Sequence, residues 1–330
     1  METPTRTAPG ASVGAIRVWV NDGTSGLGAR VLRLLVTSER AQPAEADECE
    51  VLVWVSAYDA DARASRRESA LTGLAAALIE CPKLQHVVLV SSAMVYGAWA
   101  NNPVPITEDE VLRPDVEFAY ARQLGAVEQL IDAWRTFRPG RSATVLRPAI
   151  SMATDGTAGL ASALAAGMGQ RMGQDDPPAQ FLHLDDLASA VLLGVERRLD
   201  GVYNVAPDGW VAGERVRALA GAVPRLKLPD RVNEVVSDLR WRFQRGPIPP
   251  GLRSYTRWPW LLANDRLRAA GWQPTVTNEQ AYVEGTEAKW WTMVSPKRRQ
   301  ELALGGLVAG VVVAALLTLR FVRRARGRRR

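Results

Sequence analysis

The sequence predicts an α/β fold built on a doubly wound parallel sheet. Short apolar segments alternate with segments whose apolar residues recur at helical spacing, over roughly the first 200 of the 330 residues. A glycine-bearing turn joins the first of these strands to the first helix. At 47% hydrophobic residues, the chain can bury the core of one large domain or of two smaller ones.

Strands and helices follow one another in a regular order. The apolar runs predict strands at 15–20, 50–56, 86–91 and 143–147. Helical spacing predicts helices at 26–36, 69–80 and 118–137. Strands that alternate with helices imply parallel βαβ units. We find no internal repeat.

The pattern becomes mixed beyond about residue 180. Residues 181–196 predict a short strand that runs into a capped helix, and 201–206 predict one more strand. Residues 209–292 are rich in Pro, Arg and Trp, so we assign them to a small lobe beside a core of about 15–208. The polar residues 1–14 lack the apolar centre of a secretory signal and predict a disordered lead-in.

Charge is divided unevenly along the chain. The net charge is +6, but 297–330 hold ten Lys or Arg and one acid, a charge of +9, which leaves −3 for 1–296. An acidic body disfavours nucleic acid as a partner. Only two cysteines occur, Cys49 and Cys81, without a disulfide framework or metal-ligand spacing, as suits a reducing compartment.

An apolar segment near the C-terminus predicts a membrane helix at 302–322, followed by an arginine-rich tail at 323–330. Its first 18 residues, 302–319, carry no charge and as a helix would measure about 27 Å, close to the hydrocarbon core of a bilayer. Gly306, Gly310 and Ala314 have the small-residue spacing of helix–helix interfaces. The alternative is a buried core helix.

The orientation of this segment stays open. We expect the main domain in the cytosol and the tail at the membrane. A single span would then place the arginines outside, against the positive-inside tendency. A tilted or interfacial helix would relieve that conflict.

Six motifs occur in an order typical of one enzyme family. They are VNDGTSGLGARVLRLL, LVSSAMVYG, YARQL, VLRPA, FLHLDDLASAV and GVYNVA. Over about residues 15–285 the chain resembles the NAD-dependent epimerase/dehydratase family, the extended short-chain dehydrogenases/reductases. The resemblance implies a Rossmann-like fold, NAD or NADP as cofactor, and a nucleotide sugar or related substrate.

The nucleotide-binding turn departs from the family pattern. Where the family has three glycines, this chain has Asp22, Ser25 and Gly28, with Gly23 and Gly26 displaced by one residue. Glycines here allow a tight turn and close approach of backbone to a pyrophosphate. By resemblance Gly23, Ser25, Gly26 and Gly28 form a degenerate cofactor loop, and the aspartate opposes an anionic ligand.

The segment between the first helix and the second predicted strand is short. Residues 37–50 cannot hold the two strands and the helix that the family places there. We therefore expect a missing βα unit, and with it the adenosine half of the site. The alternative is that a short edge strand lies in this segment.

The residues of the expected reaction centre depart from the family pattern as well. By family pattern Ser92 would polarise the substrate and Tyr120 would be the general acid/base. A tyrosine that titrates near 10 needs a nearby cation to act at neutral pH, and the family supplies a lysine four residues on, where this chain has Leu124. Arg122 should point away from the hydroxyl. Tyr120 is therefore either an altered base, served by a distant cation, or a core or rim aromatic.

Other polar residues predict fold more than chemistry. We expect Asp185 or Asp186 to cap a helix with His183 behind it, and no metal site, since His86 is the only other histidine. Arg147 either packs or contacts substrate. Trp258 and Trp260 either line a cleft or belong to a core.

Three hypotheses follow. The first is a membrane-tethered, non-catalytic binding or regulatory module, a pseudoenzyme of the family. The second is an active NAD(P)-dependent oxidoreductase or epimerase that holds its cofactor in an altered way. The third is a passive body whose arginine tail binds anionic lipid.

Overall fold

The computed structural model describes residues 14–56, 67–155, 159–167, 176–219 and 252–286. Its strands are β1 (Ile16–Val20), β2 (Ala41–Pro43), β3 (Val51–Val55), β4 (His86–Val90), β5 (Ser142–Pro148), β6 (Ile150–Met152), β7 (Phe181–His183) and β8 (Gly201–Val205). Six of these form one parallel sheet in the order β2-β1-β3-β4-β5-β8. The strands β6 and β7 pair in parallel in a second, small sheet. The predicted α/β fold with a Rossmann-like sheet is confirmed.

Helices cover both faces of the main sheet. Those described are α1 (Gly26–Thr37), α2 (Arg67–Glu80), α3 (Ala119–Phe137), α4 (Gly159–Gly167), α5 (Leu184–Arg197), α6 (Gly213–Leu219), α7 (Arg253–Arg257), α8 (Asp265–Ala269) and α9 (Asn278–Gly285). A 3₁₀ helix spans Ala93–Tyr96. Helices α1 and α5 pack together on one face, and α2 and α3 pack together on the other.

Alternation along the central strands explains this layering. In β4, Val88 and Val90 belong to the apolar core under α1 and α5, whereas Val87 and Leu89 belong to the core under α2 and α3. Successive side chains of a strand point to opposite faces, so a strand covered on both sides has apolar residues at every position. The run HVVLV is fully buried for this reason.

The segment after α1 contains a strand, which corrects one expectation. The three residues of β2 pair in parallel with β1 at the sheet edge, so the alternative of a short edge strand was right. Pro43 is tolerated because a strand at the edge has one unpaired side. Between β2 and β3 there is neither a helix nor a second strand, so the sheet still lacks a unit that the family places there.

The C-terminal described segment is tied to α5 by one buried carboxylate. Asp186 accepts hydrogen bonds from Thr275 N, Thr275 Oγ1 and Val276 N at 2.6–3.0 Å. Helix α9 packs on β7, with the Phe181 and Tyr282 rings edge to face at 4.7 Å. The strand-to-helix motif at 181–186 therefore anchors the last described helix.

The predicted membrane segment lies outside the described residues. So do most of the lead-in, the spacing motif Gly306, Gly310 and Ala314, and the tail 323–330. Among the helices that the structure describes, none is long and apolar enough to cross a bilayer.

Candidate functional site

A cavity of about 340 Å³ lies at the carboxyl ends of β1, β3, β4 and β5. This is where open parallel sheets bind their ligands. Its wall includes the β1–α1 turn, the strand ends, the start of α3 and one side of α4. Asp22, Ser25, Gly26, Ser92 and Tyr120, all singled out from the sequence, line this one cavity.

The β1–α1 turn is closed by its own side chains. The Asp22 carboxylate accepts hydrogen bonds from Ser25 N and Thr24 Oγ1, each at 3.1 Å. Ser25 caps α1: its hydroxyl accepts from Gly28 N at 3.0 Å and donates to Asp22 O at 3.0 Å. Two of the backbone N–H groups that a pyrophosphate would need are therefore already bonded, one of them to a carboxylate.

Gly28 is the position of the turn where only glycine fits. A Cβ there would lie 1.8 Å from Asp22 O, a backbone atom that cannot swing away. Gly28 thus keeps the packing role expected for the third family glycine. A Cβ on Gly23 would meet only the mobile end of Leu32, at 2.6 Å, and Gly26 starts α1 at the cavity wall.

Ser92 stands at the end of β4 as the cap of the 3₁₀ helix. Its hydroxyl accepts a hydrogen bond from Met94 N at 3.2 Å, and its side chain is half-buried against the cavity. Tyr120 opens α3 from the opposite side, and its hydroxyl donates to Ser56 O at 3.0 Å. The structure therefore brings Ser92 and Tyr120 to one cavity, as the resemblance implies.

Position 124, where the family has its lysine, holds a buried apolar side chain. Leu124 is 2% exposed and packs in the core, while Arg122 is exposed on the far side of α3, as predicted. Among the described residues that line the cavity there is no Lys, Arg or His.

A buried polar network lies directly behind the cavity, and the sequence analysis missed most of it. Glu128 and Arg147, both under 10% exposed, form an ion pair at 2.6 Å. Ser91 donates to Glu128 at 2.6 Å, and Arg147 donates to the Tyr96 hydroxyl at 2.8 Å. Burial raises the pKa of Tyr96 to about 12, so its phenol stays protonated. Arg147 is thus a packing residue with a charged partner.

One signal in the sequence pointed to this network. Glu128 interrupts the apolar face of α3 formed by Ala121, Leu124, Val127 and Ile131. A charge on a buried helical face requires a partner, and Arg147 at the end of an apolar strand was the available cation.

The His183 region differs from its prediction. His183 itself caps α5, its Nδ1 accepting from Asp185 N at 3.2 Å, so the capping residue is not an aspartate. The reason is that both carboxylates are engaged elsewhere. Asp186 holds residues 275–276, and Asp185 pairs with the buried Arg30 at 2.6 Å. No cluster of metal ligands occurs in the described part of the chain.

The two tryptophans lie away from this cavity. Trp260 is buried and donates from its indole to Tyr255 O at 3.0 Å. Trp258 is half-buried beneath the guanidinium of Arg257, 5.1 Å from its ring centre. Neither is among the residues that line the cavity.

Comparison with known proteins supports the fold. No family model matches the chain. RMD from Pseudomonas aeruginosa, solved with NADPH, matches with a TM-score of 0.57 and 19% identity over 82% of this chain and 97% of that chain. The UDP-glucose 4-epimerase of Thermus thermophilus with NAD gives 0.56 and 16% over 82% and 97%. The dTDP-glucose 4,6-dehydratase of Bacillus anthracis with NAD gives 0.55 and 13% over 82% and 95%. At these identities the likeness shows the fold alone.

Curated sequences add a weaker similarity. The uncharacterized protein Rv0501 of Mycobacterium tuberculosis is 26% identical over 212 residues, which is 63% of this chain and 56% of that protein. Its counterpart Mb0513 of Mycobacterium bovis matches equally. The chain therefore matches little more than half the length of these relatives.

Proposed function

We propose that this chain is a non-catalytic binding module with the fold of the NAD-dependent epimerases and dehydratases. The observation that carries the proposal is the self-closed β1–α1 turn. Asp22 and Ser25 bond the Ser25 and Gly28 amides, so a dinucleotide would have to displace a carboxylate and bring its own negative charge beside it.

Two further observations support the same conclusion. The shortened segment between β2 and β3 removes part of the sheet edge on which the family binds adenosine. The position four residues after Tyr120, where the family has its lysine, holds the buried Leu124. Each change weakens a different part of one reaction: phosphate binding, adenosine binding and proton transfer.

The test is a calorimetric titration of the purified full-length protein with NADH and NADPH. We expect no binding up to millimolar nucleotide, and no nucleotide released on denaturation. The double variant Asp22→Gly/Ser25→Gly should raise the affinity for NADH at least tenfold, since it frees both amides. Wild-type binding tighter than about 100 μM, near −5.5 kcal/mol, would overturn the proposal.

A second candidate function is an active oxidoreductase or epimerase with altered cofactor binding. The observation that favours it is that Ser92 and Tyr120 line one cavity at the expected edge of the sheet. Substituting Tyr120→Phe separates the two candidates. An enzyme would lose its turnover of a nucleotide sugar with NAD(P), whereas a binding module would show no turnover in either form.

We also propose that 302–322 tether the module to a membrane. The 18 uncharged residues at 302–319 and the arginines that follow support this. The full-length protein should stay with membranes through alkaline carbonate extraction, whereas a variant ending at residue 296 should not. Release of the full-length protein by high salt alone would instead favour an arginine tail bound to anionic lipid.

A further inference from the structure

The cavity at the sheet edge is mainly apolar. Its wall is formed largely by aliphatic side chains, among them Leu27, Val90, Ile150, Leu160, Leu164 and Leu187. A volume of about 340 Å³ is within the range of sites for small organic molecules. Such a wall favours a ligand with an apolar body.

Most of the hydroxyl groups that line this wall donate their protons to the protein. Four of the six do so: Tyr120 to Ser56 O, Ser151 to Ala149 O, Ser91 to Glu128 Oε1 and Ser25 to Asp22 O. A hydroxyl has one proton and two lone pairs, so these four can offer the cavity only lone pairs. Ser92 differs, because its hydroxyl accepts from Met94 N and keeps its proton for another acceptor. Most of the polar groups of the wall therefore suit a ligand that donates hydrogen bonds.

The charged residues near the cavity also favour a ligand that donates hydrogen bonds. Asp22 is the one charged residue among those described as lining the cavity. The nearby cations are engaged: Arg147 pairs with Glu128, and Arg30 pairs with Asp155 and Asp185. A carboxylate or phosphate would meet a negative charge and no free guanidinium in this part of the structure.

From these observations we infer that the cavity binds a small organic molecule with an apolar body and a hydrogen-bond-donating end, an amine or an alcohol, and excludes anions. This inference rests on the proposed function, because it requires that the cavity no longer holds a dinucleotide. The donating end lies toward Asp22 and Tyr120, and the apolar body lies against α4.

A matched set of probes tests the inference on the full-length protein. The compounds 3-phenylpropylamine, 3-phenylpropanol and 3-phenylpropanoate share one body and differ only in the polar end. Ligand-observed NMR titration at pH 7.5 should show saturable binding of the amine at least tenfold tighter than that of the carboxylate, with the alcohol between them. The variant Leu164→Trp, which fills the cavity, should abolish binding of all three and so corrects for non-specific uptake.

A second variant tests the contribution of the Asp22 charge to binding. The side-chain oxygen of an asparagine can still accept the hydrogen bond from Ser25 N, so Asp22→Asn keeps the turn closed. This variant should weaken the binding of the amine about tenfold and change the affinity for the alcohol by less than twofold. If Leu164→Trp does not fold, this comparison decides alone.

Two results would overturn the inference: equal or tighter binding of the carboxylate, and no saturable binding of any probe. Either result, with no binding of NADH, would leave the proposed function standing. Binding of NADH would refute the proposed function itself.

Discussion

His86 should make the protein less stable as the pH falls from 7.5 to 5. This residue opens the central strand β4 and is 0% exposed. Its Nδ1 lies 2.7 Å from Ser142 Oγ and its Nε2 lies 3.1 Å from Thr144 Oγ1. The Thr144 hydroxyl donates its proton to Leu199 O, so it accepts from His86 Nε2. The neutral imidazole is thus fully bonded.

Burial opposes the charged form of this ring. Burial first, and the nearby charge of Arg198 second, lower the pKa of His86 from 6.5 to about 4, although Asp200 acts in the opposite direction. Between pH 6.5 and 4, the imidazole of His86 is protonated in the unfolded chain and neutral in the folded protein. The free energy of unfolding therefore falls as the pH falls through this window.

The pKa difference gives the size of the effect. From pH 7.5 to pH 5, the proton bound by the unfolded chain lowers the free energy of unfolding by about 2 kcal/mol, and by about 3 kcal/mol once the pH is well below 4. Urea denaturation at the two pH values measures this loss.

The matched control is His86→Gln, whose amide can serve both hydroxyls but does not titrate. Carboxylates that titrate near pH 5 contribute equally to both proteins, so the difference between wild type and variant isolates the histidine. Between pH 7.5 and 5 the variant should lose about 2 kcal/mol less than the wild type. Equal losses in the two proteins would refute the reasoning.

Three further substitutions test the packing around the cavity, each by urea denaturation. Gly28→Ala should cost about 2–3 kcal/mol, because its Cβ would overlap Asp22 O. The control Gly125→Ala, with open space around it, should be neutral or stabilising. Glu128→Leu should cost about 3–5 kcal/mol by leaving Arg147 buried and unpaired, and the added change Arg147→Met should restore most of it. Tyr120→Phe should cost about 1 kcal/mol or more, since it removes the hydrogen bond to Ser56 O. A small effect at Gly28 or Glu128, or none at Tyr120, would contradict these packing arguments.

Helices and strands of the main sheet were largely predictable because their patterns are local. The run HVVLV must be covered on both faces, and the spacing of α3 places Leu124 inside and Arg122 outside. The edge strand β2 was harder to predict. It is three residues long, includes a proline, and exists because β1 offers it a partner.

By itself, the sequence determined the alternation of strands and helices, and the departures at the β1–α1 turn and at position 124 from the pattern of the family it resembles. Each of these depends on residue type at a fixed spacing. Only the tertiary structure decided which contacts the side chains at these positions make. It showed that Asp22 and Ser25 close the turn, that His183 rather than an aspartate caps α5, and that Glu128 meets Arg147. Such pairs depend on which groups remain unpaired after the chain has packed, and spacing along the sequence does not contain that information.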